Sequence, residues 1–246
     1  MTYREFAARP ALSHLVACTW EREIPNVDVP PATRVLPDGC VDLIWHGGGL
    51  IVAGPDRGPF LSPPRPGATI VGIRLRPGVA GLALGVPANE LRDTRVALES
   101  VWGRRGAELT ERVAESGSAS GRRRMLEEFL LRRTSRTGEP DPLVLAATRR
   151  LGLPGSRVGS VTRVLGTSER QLLRRFDAAV GYGPKTLDRV LRFQRFLAQS
   201  HTASNGDAGL ARLAADAGYA DQAHLSRECV RLSGLTPARL LESRAS

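Results

Sequence analysis

The feature that most constrains this chain is a repeat: between Val158 and Pro237 one helical pattern is written twice. With Leu172 laid on Leu225, an offset of 53 residues, Arg174 falls on Arg227, Gly181 on Gly234 and Pro184 on Pro237 without a gap. Each copy runs short apolar helix, Gly-containing turn, second helix and Gly-x-x-Pro stop, which is the order of a helix-turn-helix.

In the first copy Val158, Val161, Thr162 and Leu165 form a helical stripe and Gly166 turns the chain. Ser168 stands at the N-cap position and Gln171, three residues on, completes a capping box. Leu172, Phe176 and Val180 recur every four residues and face inward, so Arg170 and Arg174 face outward. In the second copy Leu210, Leu213, Ala214 and Ala217 make the first helix, Gly218-Tyr219 the turn and Asp221 the cap. Leu225, Cys229 and Leu232 point to the core, leaving Gln222, Ala223, His224, Ser226 and Arg227 outside. Arginine forks onto guanine, glutamine onto adenine, and serine or histidine onto base or backbone. A solvated polar face is the competing reading for one such helix. Two copies in register favour nucleic acid. The stretch from Pro184 to Gln199 keeps helical spacing through Leu187, Val190, Leu191, Phe193, Phe196 and Leu197. At ~1.5 Å per residue it spans roughly 24 Å, which with its flanking turns suits two reading heads about 34 Å apart, one DNA turn.

At these residues the sequence resembles the AraC family of bacterial transcription regulators. The resemblance rests on Thr167 to Phe176 with Val180-Gly181, then Leu213 to Gln222, His224 to Arg227 and Gly234 to Pro237, and covers about the last hundred residues. It implies that both second helices enter successive major-groove segments of double-stranded DNA. By position it places Arg170, Leu173 and Arg174 on DNA from the first copy, and Gln222, Ala223, His224, Ser226 and Arg227 from the second. Ser168, Gln171 and Arg175 complete the candidate set. Leu225 and Cys229 replace the Phe pair usual in the second copy, and Leu173 and Ala223 offer only apolar contact, as with a thymine methyl. The resemblance further implies a small-molecule effector for the N-terminal part, with a homodimer and RNA polymerase as candidate protein partners.

The 246 residues are enough for two modest domains, and the formal charge is +10. Residues 156–246 hold 14 basic residues against 8 acidic ones, a net of +6, so a phosphate-rich partner is the natural inference. Lys185 is the only lysine, a bias that base composition of the gene also produces, so the raw charge is discounted. Cys18, Cys40 and Cys229 fit neither a disulfide scaffold nor a zinc-finger spacing, and no metal or cofactor is expected. No apolar run approaches 18 residues and no export leader is seen, so a cytoplasmic chain away from membranes is expected.

The fold expected is α+β. Leu12–Trp20, Thr33–Leu36, Cys40–His46, Leu50–Ala53 and Thr69–Leu75 read as strands of a β-barrel or sandwich-like N-terminal domain. Pro37-Asp38-Gly39 and Gly47-Gly48-Gly49 read as turns and Pro55 to Pro66 as a Pro-rich loop. Accessory helices follow: Val79–Leu84, a link through Pro87, Leu91 and Leu98 to Trp102, then Ala107–Ala114 and Arg122–Leu131, broken at Ser116 to Gly121. Their stripes (Leu109, Val113; Met125, Phe129, Leu130) cover the barrel or pair with a second subunit, the former being favoured. The expected domains are 1–134, effector-sensing or dimerising, and 141–246, all-α, with Thr134 to Glu139 as linker and Asp141-Pro142 opening the next helix. Leu36 to Ile44 and Arg74 to Gly78 look like signatures of one sensor-domain subgroup found on such regulators.

Trp20, Arg34, Trp45, His46 and Arg74 are polar or aromatic groups near expected strands, and none is assigned as a ligand contact. Asp38 and Asp42 do not define a catalytic acid pair without a distance. His14, His46, His201 and His224 do not cluster with acids, and no nucleophile-elbow, P-loop or Rossmann pattern occurs. No enzymatic activity is expected. The leading expectation is a sequence-specific DNA-binding regulator tuned by a small molecule. The alternative is a small-molecule-binding module whose helical C-terminal domain makes protein contacts.

Overall fold

A computed structural model describes residues 2–27, 32–63, 65–202 and 209–245; of His201, Thr202 and Ala245 only the backbone is described. Eight strands precede or interleave with the first helices: β1 (Thr2–Phe6), β2 (Val16–Glu23), β3 (Thr33–Val35), β4 (Val41–Trp45), β5 (Leu50–Ala53), β6 (Phe60–Ser62), β7 (Thr69–Leu75) and β8 (Arg95–Ala97). Six of them form one antiparallel sheet in the order β1-β2-β7-β4-β5-β8, while β3 and β6 pair apart from it as a ribbon. The sheet ends on β1 and β8 without closing, which corrects the barrel reading: the domain is β-rich and open. Three strands lay outside the expected ones. β6 sits inside the Pro-rich loop, β8 inside the helical link and β1 at the start of the chain, and each is only three to five residues long.

The sheet has two unlike faces because side chains alternate along a strand. On one face Leu43 pairs with Ile73 and Val52, and Val41, Trp45, Leu50, Val71 and Leu75 join them in the N-terminal core. Helices α1 (Ala80–Leu84), α2 (Leu98–Trp102), α3 (Arg104–Glu115) and α4 (Ala119–Thr134) cover this face. Leu109, Val113, Leu126 and Leu130 are buried there and Met125 and Phe129 pack beside them, so the helical stripes are used within the chain. The break between α3 and α4 is shorter than expected, since Ser118 already caps α4 by accepting from the Gly121 amide. On the other face Cys18, Trp20, Ile70 and Ile44 form a separate small cluster.

The second large core gathers residues from Val144 to Leu240. It is built by α5 (Pro142–Leu151), α6 (Val158–Val164), α7 (Glu169–Val180), α8 (Pro184–Thr202), α9 (Leu210–Ala217), α10 (Gln222–Ser233) and α11 (Pro237–Ala245). Asp141 caps α5 by accepting from the Leu143 and Val144 amides, with Pro142 at the first helical position, where a missing amide hydrogen costs nothing. Among the described residues no helix is long and apolar enough to cross a membrane.

Candidate nucleic-acid interface

The two repeats fold alike for local reasons. Ser168 Oγ accepts from the Gln171 amide at 3.1 Å while Gln171 Oε1 accepts from the Ser168 amide at 3.5 Å, a reciprocal cap at the start of α7. Asp221 Oδ1 accepts from the His224 amide at 2.6 Å at the start of α10. Both helices end on a left-handed glycine, Gly181 at φ +94° and Gly234 at φ +73°, a conformation that opposes continuation of the helix by a side-chain-bearing residue. Leu172, Phe176 and Val180 are buried in α7, and Leu225, Cys229 and Leu232 in α10.

That burial turns the opposite faces outward. Ser168, Arg170, Gln171, Leu173, Arg174 and Arg175 are exposed on α7, as are Gln222, Ala223 and Arg227 on α10, with His224 and Ser226 half-buried. They are not equally available. Arg175 Nη1 lies 3.0 Å from Asp141 and so is tied to the start of α5. Ser168 and Gln171 are engaged in capping, and His224 packs edge-on against Tyr219 at 5.2 Å. Arg170, Arg174 and Arg227 carry no ion pair among the described residues. Leu173 is 52% exposed, unusual for a leucine, so an apolar side chain stands ready on the outer face of α7.

The connector α8 is 19 residues long, roughly 28 Å at ~1.5 Å per residue. Arg189 forks onto Glu228 of α10 at 2.7 and 2.9 Å. Burial alone would raise the Glu228 carboxyl, but the Arg189 hydrogen bonds and charge bring it below its usual range. Phe193 and Phe196 are fully buried, so α8 is core to both repeats.

The N-terminal part grips the same end of each repeat. Arg92 Nη1 donates to the Gly181 carbonyl at 3.1 Å and faces Asp177 at 3.4 Å, where Asn89 Nδ2 also donates at 2.7 Å. Arg34 Nη1 donates to the Ser233 carbonyl at 2.8 Å. α7 and α10 thus each have an arginine at the carboxyl end, where the exposed carbonyls and helix dipole favour positive charge. Gln194 of α8 donates to the Pro37 carbonyl at 2.6 Å, a third tie. Arg92, Asn89 and the role of Arg34 were not visible in the sequence, since each contact joins residues more than 80 positions apart.

The outer face of the sheet holds a second candidate site. Trp20, Arg34, His46 and Arg74, four of the groups left unassigned in the sequence, line one cavity of about 720 Å³ there, together with Tyr3, Glu5, Asp38 and Asp42. Trp45 does not: it lies on the opposite face, buried, with the Arg122 guanidinium over its ring at 5.5 Å. Among the described residues no cluster of His, Cys, Asp or Glu has the makings of a metal site.

Residues 161–243 match a family described as a helix-turn-helix domain, and residues 4–97 match a domain of unknown function, DUF6597. No curated protein matches the sequence. Among solved structures the chain is similar to ToxT of Vibrio cholerae. An apo ToxT variant aligns at TM-score 0.47 and 10% identity over 92% of this chain and 96% of that one. ToxT from strain O395 aligns at TM-score 0.45 and 12% identity over 91% and 96%. Wild-type ToxT bound to an unsaturated fatty acid aligns at TM-score 0.41 and 9% identity over 91% and 93%.

Proposed function

We propose that this chain, whose residues 161–243 form an AraC-type helix-turn-helix domain, is a sequence-specific regulator of transcription that inserts α7 and α10 into successive major-groove segments of one duplex. It acts in the cytoplasm, and we divide it into an N-terminal effector-sensing domain, 1–134, and a DNA-binding domain, 141–246. The observation that carries this reading is the pair of capped helices with exposed arginines that carry no ion pair among the described residues, joined by one buried rod. Arg170, Arg174 and Arg227 supply charge to phosphates or fork onto guanine, while Gln222, Ser226, Leu173 and Ala223 read base edges. Ser168, Gln171 and His224 hold the helix starts, and Arg175 is restrained by Asp141, so their contacts are to backbone phosphates.

Selection of bound fragments from random duplex DNA tests the reading. Two short enriched segments about one helical turn apart are expected, with affinity falling steeply as salt rises. Arg174→Ala and Arg227→Ala each lose about 1–3 kcal/mol on the selected site if they read bases, and base preference relaxes at the matching positions. A selection that enriches no motif overturns the proposal and leaves the helical domain as a surface for protein contacts.

A further inference from the structure

The strands of the outer face bring residues into rows that the sequence does not display. Cys18, Arg74, Asp42 and Ala53 stand side by side across β2, β7, β4 and β5; Glu5, Trp20, Gly72, Ile44 and Ile51 form the next row. Gly72 has no side chain because the Trp20 indole occupies the place its Cβ would take. The cavity floor is therefore the indole and two isoleucines.

One end of this floor is negative and built. Arg74 directs Nε and Nη2 at Asp42 (3.2 Å each), Nη1 at Glu5 (3.4 Å) and Nε also at Asp38 (3.4 Å). One guanidinium is surrounded by three carboxylates, so an excess of negative charge lies in a half-buried place where it is poorly screened. Burial above all, and Asp38 beside it, push the Asp42 carboxyl up to about 6 against the pull of Arg74. The Trp20 Nε1–H is buried beside Asp42 without a hydrogen bond of normal geometry. Of the other arginines in the lining, Arg95 pairs with Asp56 at 2.6 Å, Arg34 holds the Ser233 carbonyl and Arg22 donates to Thr33, while Arg65 and Arg244 also line the cavity.

We propose that this cavity binds an amphipathic amine, its ammonium seated between Asp38, Asp42 and Glu5 and its apolar body laid along Trp20, Ile44 and Ile51. The inference builds on the reading of the N-terminal part as a sensor and names the ligand chemistry. The same stretch that closes the cavity, Arg34 to Asp38, is tied to α8 through Pro37 and to the end of α10 through Arg34, so occupancy reaches the second reading helix directly.

The test uses full-length protein without DNA and three probes that differ only in head group: n-octylamine, octanoate and octan-1-ol. Calorimetric titration near pH 7 is expected to show octylamine binding at least about tenfold more tightly than either of the others. Asp38→Asn and Glu5→Gln, both at partly exposed carboxylates, are each expected to weaken octylamine by several-fold and leave octanol unchanged. Tighter binding of octanoate, equal binding of all three, no binding of any, or insensitivity of octylamine to both substitutions overturns the assignment. None of these outcomes touches the DNA reading, which stands or falls on the selection experiment.

Discussion

Gly181→Ala and Gly218→Ala make a matched pair that measures how firmly the N-terminal part holds the first reading helix. Both glycines close a helix with φ near +90° (+94° and +89°), so an added methyl carries the same backbone penalty, about 1–2 kcal/mol. What the methyl meets is different. At Gly218 it enters open space, whereas at Gly181 it lies 2.5 Å from Pro55 Cγ and 2.9 Å from the Ala88 carbonyl oxygen. Relieving that overlap requires the segment from Pro87 to Leu91 to move off α7, and overpacking of this kind costs a further ~1–3 kcal/mol. Urea unfolding followed by far-UV circular dichroism is expected to give a loss of about 1–2 kcal/mol for Gly218→Ala and about 2–5 kcal/mol for Gly181→Ala. Equal losses would refute the claim that α7 is seated tightly against the N-terminal domain, because the two variants share every other cost.

Other consequences are read more simply. Ser168→Ala removes one half of the reciprocal cap on α7 and should destabilise by about 1 kcal/mol, measured by thermal or urea unfolding. Phe176→Ala empties a fully buried site at the centre of the first repeat and should cost about 3–5 kcal/mol, enough to abolish binding to the selected DNA at 37 °C. For Asp42, the folded pKa of about 6 lies above the ordinary carboxylate value of 3.8. Unfolded chains therefore release this proton first as pH rises, so the Asp42 contribution to stability is largest below about pH 4, falls between about 4 and 6 and is flat above. Stability curves of wild type and Asp42→Asn measured across that window should diverge in this sense; a difference that grows with pH in favour of wild type would contradict the assignment.

The helical repeat was legible because its instructions are local: a cap residue, a box partner three positions on, an apolar residue every fourth position and a glycine at the stop. Asp141-Pro142, Ser168 with Gln171, and Asp221 all act in the structure as their spacing requires. The sheet was legible only in part. β6 and β8 hold three residues each and acquire their strand character from distant partners, 25 to 29 positions away for β6 (Val35–Phe60 to Thr33–Ser62) and 42 to 46 for β8 (Ala53–Arg95 to Ile51–Ala97). Whether a set of strands closes depends on such pairings, so the open edges at β1 and β8 lay beyond the reach of local pattern. The same holds for the cavity. Asp42 and Arg74 are neighbours because β4 and β7 pair in one register, and a slip of one residue would send them to opposite faces.

Arg34 and Arg92 touch α10 and α7 from different pieces of one body, the β3–β6 ribbon and the turn after Leu91. The arrangement works like a caliper whose jaws are set by separate arms. On the proposed reading, movement confined to the ribbon would displace one jaw and leave the other at rest, so a signal arriving there would alter the distance and phase between the preferred half-sites. Operators with base pairs inserted or removed between the two segments would then be ranked differently in the two states, a readout that affinity for a single site does not provide.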